Sequence, residues 1–224
     1  MPKLSHTYLS IARDGGSYGG NQSWAETKTL RKYGCGVVAG TDLMIYLHRF
    51  RPGCNTPMFD RVPEEGQLSS ELYLELLKKV NRKYLPVIPF FGMNGVMLAG
   101  GLNRYFRGHQ VELKAGWRIF SFGLWETISK MLEEDIPVIF SIGANFPKVW
   151  ENQKLRLYVR RGNDTYISTT SVNAHYVTVT GMDERWLEVS TWGKRYYIDR
   201  EEFTRYVRRH SCYLFSNIVG VKSR

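Results

Sequence analysis

The chain has 224 residues, with 31 Lys and Arg against 21 Asp and Glu, a formal net charge of +10. At 43% hydrophobic and 14% aromatic residues it can bury a core unaided, which argues against disorder and suits a single sizeable domain. Three cysteines without C-x-x-C spacing argue against a disulfide scaffold and a structural zinc site, and the longest apolar run, "LPVIPFFGMNGVMLAGG", is broken by Pro89, Gly92, Asn94 and Gly95, so neither a membrane span nor a membrane partner is expected.

The amino end, "MPKLSHTYLSIARDGG", lacks the uninterrupted apolar stretch of a secretory signal. A soluble cytoplasmic protein with reduced thiols is expected, and the sequons at Asn21 and Asn163 are then coincidental. Basic pairs such as Arg31 and Lys32, Arg160 and Arg161, and Arg208 and Arg209 are spread along the chain without a recognition motif. They read as a basic surface rather than a nucleic-acid interface.

From Cys35, the apolar residues Val37, Val38, Met44, Ile45 and Leu47 recur at helical spacing, predicting a helix that begins at or just after the cysteine with one apolar face. "FRPGCNTPMFDRVPEEG" reads as a loop carrying Cys54 as an exposed thiol. Helices follow at "LSSELYLELLKKVNRKYL", "NGVMLAGGLNRYF" and "LWETISKMLEED". From "IPVIFSIG" the character becomes β: "KLRLYVR" alternates, "RGND" turns, "AHYVTVTG" and "WLEVSTWG" flank the turn "MDER", and "SCYLFSNIVGV" alternates with Cys212 on its core side. One helix, "REEFTRYVRR", interrupts this half.

A thiolate is stabilised at the amino end of a helix, where backbone N–H groups point at it. That makes Cys35 a candidate nucleophile, the alternative being a small buried hydrophobe. Such thiols pair with a histidine distant in sequence. Of five histidines, His6 lies in the terminus, His48 and His210 in or beside basic surface helices, and His109 in the polar stretch "FRGHQVELKAG". Only His175 opens a strand, and it reads either as a general base or as a hydrogen-bonded core histidine.

"YGCGVVAGTDLMIYL", "WETISKMLEEDIPVIFSIG" and "AHYVTVTGMDERWLEVSTWG", in that order over roughly residues 20–210, resemble the cysteine helix, the helix with its Pro-Val strand, and the histidine strand with its return strand in the papain-like cysteine peptidase superfamily. Similarity is greatest to bacterial domains that process double-glycine leader peptides, such as those of bacteriocins. The resemblance implies an α+β fold in one domain, with a helical lobe over about 20–135 packed against an antiparallel β lobe over about 136–224 and a cleft between them. It also implies a cysteine peptidase or amidase acting on a peptide or amide by acyl transfer through Cys35 and His175, without metal or organic cofactor. Gln22 would bind the oxyanion, which requires the insert "AETKTLRKYG" to loop outward, and Ser190 or Thr191 in "STWG" would orient the histidine. Trp24 and Trp192 would wall the cleft or pack in the core. The helix amino end should hold the Cys35 thiol below an ordinary cysteine. The rival expectation is a catalytically inactive protein of the same fold that binds an acidic partner.

Overall fold

A computed structural model describes residues 1–13, 15–162 and 164–224, so the sequon at Asn163 lies outside the described residues. Among them the chain forms six α-helices and ten strands, an α+β arrangement built on one large antiparallel sheet.

The elements in order are β1 (Ile11–Ala12), α1 (Lys28–Tyr33), α2 (Cys35–Phe50), β2 (Leu68–Ser69), α3 (Ser70–Lys83), α4 (Gly95–Gly108), β3 (Leu113–Trp117) and α5 (Leu124–Glu133). Then come β4 (Val138–Ile142), β5 (Leu155–Arg161), β6 (Thr165–Val172), β7 (His175–Met182), β8 (Trp186–Thr191), β9 (Lys194–Asp199), α6 (Arg200–His210) and β10 (Ile218–Ser223). Strands β1 and β2 form a short parallel pair, and the other eight lie in the order β3-β10-β4-β7-β8-β9-β5-β6.

Helix starts follow local chemistry. Thr27, Ser69, Asn94 and Asp199 cap α1, α3, α4 and α6 by accepting from backbone N–H groups in the first turn. In α3 the buried residues Tyr73, Leu76, Leu77 and Val80 recur at the spacing of a single apolar face. Helix α2 differs from the one-faced helix expected, because nearly every residue from Gly36 to His48 is buried. It is the central helix, packed against β7, β4, α3 and α4.

Strands β4 and β7 are buried almost residue by residue, so both sheet faces are covered. Phe140 of β4, beside Val177 of β7 in the ladder, meets the Phe203 ring of α6 at 4.6 Å. Tyr176, one residue away and therefore on the opposite face, lies against Gly36 of α2. The expected division into a helical amino half and a strand-rich carboxyl half is crossed at β3, which falls in the helical half yet forms the edge of the large sheet, paired along β10 from Leu113↔Ser223 to Trp117↔Val219. It is crossed again at the amino terminus, where Lys3 bridges Gly181 of β7.

Several local expectations are corrected. Cys54 is buried rather than exposed, because a turn closed by Cys54 N–H to Arg51 O folds it inward. Residues 212–217 form a turn instead of a strand, leaving Cys212 half-buried and Leu214 exposed. His48 is buried, its Nδ1 accepting from Thr56 N–H, and His6 is tied to Asp135 at 2.6 Å. No helix among the described residues is long and apolar enough to cross a membrane.

Candidate active site

Helix α1 ends at Tyr33 and α2 begins at Cys35 with only Gly34 between them, so the cysteine occupies the first helical position. Successive α2 positions on this side, Cys35, Val38, Ala39 and Asp42, line a small cleft with Gly20, Gln22, His175, Thr191 and Trp192. The fold thus brings all five residues singled out in the sequence, Cys35, His175, Gln22, Ser190 and Thr191, to one place. Their side chains do different things there.

His175 opens β7 and is almost fully buried. Its Nε2 lies 2.7 Å from Thr191 Oγ1 in a hydrogen bond. The Ser190 hydroxyl instead donates to Tyr18 O at 2.7 Å. Successive side chains of a strand point to opposite faces, so only one of these neighbours can reach the imidazole. The register Thr178↔Ser190 selects Thr191. Of the two residues expected to meet the imidazole, Ser190 and Thr191, it is Thr191 that does so.

The indole of Trp192 stacks on the imidazole, ring centroids 4.9 Å apart and planes 30° apart. Its position comes from the β8–β9 hairpin. Thr191 pairs with Lys194, leaving Trp192 and Gly193 as a two-residue loop with φ of 52° and 71°. Two positive φ angles are the signature of a type I′ turn, favourable for glycine and costly for tryptophan. Bonds from Asn21 Nδ2 to Trp192 O and from Gly193 N–H to Gly20 O hold the loop in place. Trp24 packs one layer back, edge-on to Tyr73 and against Gly193.

Gln22 opens a single 3₁₀ turn, and the insert that follows folds as α1. That helix returns the chain to Cys35 and leaves Gln22 on the cleft, with its Nε2 donating to Arg31 O at 2.9 Å. An amide nitrogen carries two hydrogens, so one is committed to α1.

Asp42 was not singled out in the sequence. It lies seven residues after Cys35, on the same helix face, and is buried. It accepts from Gly20 N–H at 2.9 Å, Tyr73 Oη–H at 2.8 Å and Tyr8 Oη–H at 3.2 Å. Burial pushes its carboxyl up to about 6 against these three donors. The carboxylate fastens the Gly19–Gly20 segment, and hence Gln22, to the cysteine helix. An acid two turns after the cysteine, in the middle of the helix's apolar run, was the available signal. A Cβ on Gly20 would lie 1.7 Å from Tyr73 Oη, so Gly20→Ala should displace the tyrosine and lower stability by about 2 kcal/mol, read from urea unfolding.

The electrostatics reverse one expectation. Burial pushes the Cys35 thiol up, although the backbone N–H groups of Tyr176, Gly36 and Cys35 favour its thiolate. Burial also pulls His175 down to about 4. Both shifts disfavour the charged forms, thiolate and imidazolium, in the resting cleft. Cys54 is likewise raised by burial. Among the described residues no group of three or more His, Cys, Asp or Glu is placed to hold a metal ion. Compared with protein-family models, curated proteins and solved structures, the chain matches none.

Proposed function

We propose that the chain is a cysteine peptidase or amidase of papain-like architecture that works by acyl transfer. The observation that carries this reading is the meeting, in one cleft, of a cysteine at the first position of a buried helix and a histidine whose Nε2 is held by a hydroxyl. With Nε2–H donating to Thr191 Oγ1, Nδ1 carries the lone pair and is the basic atom.

In the reaction His175 takes the thiol proton as the Cys35 sulfur bonds to the substrate carbonyl carbon. The Cys35 backbone N–H and the second amide hydrogen of Gln22 face the developing oxyanion. Collapse breaks the C–N bond, and the imidazolium returns its proton to the leaving amine. Water, deprotonated by His175, then cleaves the thioester and restores the thiol. Because burial disfavours both the thiolate and the imidazolium before substrate arrives, proton transfer accompanies substrate attack rather than preceding it.

A peptidyl acyloxymethyl ketone, followed by peptide mapping with mass spectrometry, tests the proposal. Cys35 should be modified before Cys54, which is buried, and before Cys212, which does not line the cleft. Modification of Cys212 as fast as Cys35 would return the chain to the alternative of a binding protein without turnover.

A further inference from the structure

Exposed apolar side chains are concentrated on this molecule. Fourteen large hydrophobic residues are exposed among those described, and all but Met1 and Ile167 fall in four segments, 86–96, 118–123, 143–150 and 211–217. Three of these segments adjoin the same end of the large sheet. Segment 118–123 follows β3, 143–150 follows β4, and 211–217 precedes β10. The pairs Trp117↔Val219, Phe140↔Ile218 and Ile142↔His175 set those strand ends beside the start of β7. The fourth segment joins them where the Trp117 ring lies against Gly95.

Contacts between the segments make one surface. Trp117 Nε1–H donates to Leu214 O at 3.1 Å, Asn217 Nδ2–H donates to Phe120 O at 3.1 Å, and the Phe146 and Phe215 rings lie 5.5 Å apart. Phe90 packs 6.2 Å from Tyr33, two residues before Cys35. The surface therefore reaches the amino end of α2, where Cys35 lies.

Its shape and charge indicate the partner. Phe91, Phe122 and Trp150 are 87%, 89% and 79% exposed, so they stand out from loop tips instead of lining a groove. A folded partner would need a pocket for each ring, whereas a lipid headgroup layer accepts aromatic rings in any register. The four segments contain no Asp or Glu and two cations, Arg118 and Lys148. Exposed Arg31 and Lys32 flank them beside Tyr33, and Arg208 and Arg209 flank them at the end of α6, where Phe146 N–H bonds to His210 O. The nearest acids in sequence are Glu151, paired with Lys148 and His210, and Glu126 in the first turn of α5. Apolar rings bordered by cations, on a chain of net charge +10, complement an anionic surface.

We propose that this end of the sheet docks peripherally on an anionic phospholipid bilayer, its aromatic tips entering the headgroup layer so that the Cys35 cleft opens at the membrane surface. The expectation of no membrane partner rested on the lack of a span, which a peripheral contact does not require. The proposal is independent of turnover, and a Cys35→Ala chain should bind equally.

Sedimentation of the full chain with vesicles of phosphatidylcholine, with and without phosphatidylglycerol, tests it. Binding should require phosphatidylglycerol and weaken as salt is raised. A Phe91→Ser/Phe122→Ser/Trp150→Ser variant should partition about tenfold less, because interfacial affinity scales with buried apolar area, while melting at the wild-type temperature since all three rings are exposed. The proposal is overturned if neither vesicle pulls the chain down, or if the triple variant binds as the wild type does. It also fails if the chain forms a dimer that the triple variant abolishes and shows no affinity for lipid, which would make the patch a self-association face.

Discussion

Replacing His175 with glutamine should slow acylation of Cys35 by about a hundredfold to ten-thousandfold, the usual contribution of a positioned general base. Glutamine roughly keeps the volume of the ring and can still meet Thr191 Oγ1, so the loss reports the missing base rather than a collapsed cleft. Thr191→Val, nearly isosteric, removes only the hydroxyl. Imidazole then loses the partner that selects its tautomer, and acylation should fall on the order of tenfold to a hundredfold without an equivalent rise in KM. Ser190→Ala is the contrasting variant. Its hydroxyl serves Tyr18 O, so acylation should stay within about twofold of wild type while stability drops by about 1 kcal/mol. Stopped-flow acylation with an activated ester gives all three rates. Equal rates for Thr191→Val and Ser190→Ala would remove Thr191 from the site.

The second large effect is on stability against pH. His175 is pulled down to about 4, so between roughly pH 4 and 6.5 the unfolded chain binds a proton that the native cleft refuses. That stabilisation is complete above the ordinary histidine value and is lost as pH falls through 4. Asp42 is pushed up to about 6 and has the opposite sign. Its native carboxyl keeps a proton that the unfolded chain releases, a stabilisation complete at low pH and lost as pH rises through 6. Each contribution is about 3 kcal/mol across its window, and in the wild type the two oppose one another between about pH 4 and 6. Asp42→Asn should therefore make stability fall steeply on acidification, relative to wild type, while His175→Gln should make it rise. Urea unfolding at a series of pH values measures both, and the surface carboxylates common to all variants drop out of the differences. Parallel curves for the three proteins would sink the assignment.

What could be read in advance follows the range of the interactions involved. The start of α2 at Cys35 and the apolar face of α3 are local patterns, and the structure reproduces them. The alternation expected along β5 holds only to Leu157, because a bulge there turns Tyr158 inward and leaves Val159 half-buried. Strand β3 does show a short alternation, Leu113 and Ala115 inward against Lys114 and Gly116, but the ladder that makes it a strand comes from β10, about a hundred residues later. Strand β6 has β-branched residues but is largely exposed, which leaves no two-residue apolar period to detect. Helix α1 has a Thr27 cap but only one buried side chain, Leu30. Within the site, alternation along "VSTWG" says that Ser190 and Thr191 face opposite ways. Which of them faces His175 depends on the register with β7, a long-range fact. Burial is equally non-local, and the enclosure of Cys35 reverses the shift that its helix position alone implies.

The edge strand β3 also limits how the cleft can admit a substrate. It belongs to the helical half by sequence and to the sheet by hydrogen bonding, and α4 packs along it. Swinging the halves apart as rigid bodies would tear the β3–β10 ladder and strip α2 from β7, so no hinge lies between the thiol and the imidazole. Access must come from the rim, where the Gly19–Trp24 segment and the Trp192–Gly193 turn are fastened to each other by a few hydrogen bonds. Under the proposed function, Cys35 and His175 are carried on elements packed directly on each other, α2 and β7, while a small clasp controls admission. Such an enzyme would be limited by the lifetime of that clasp rather than by the assembly of its chemistry.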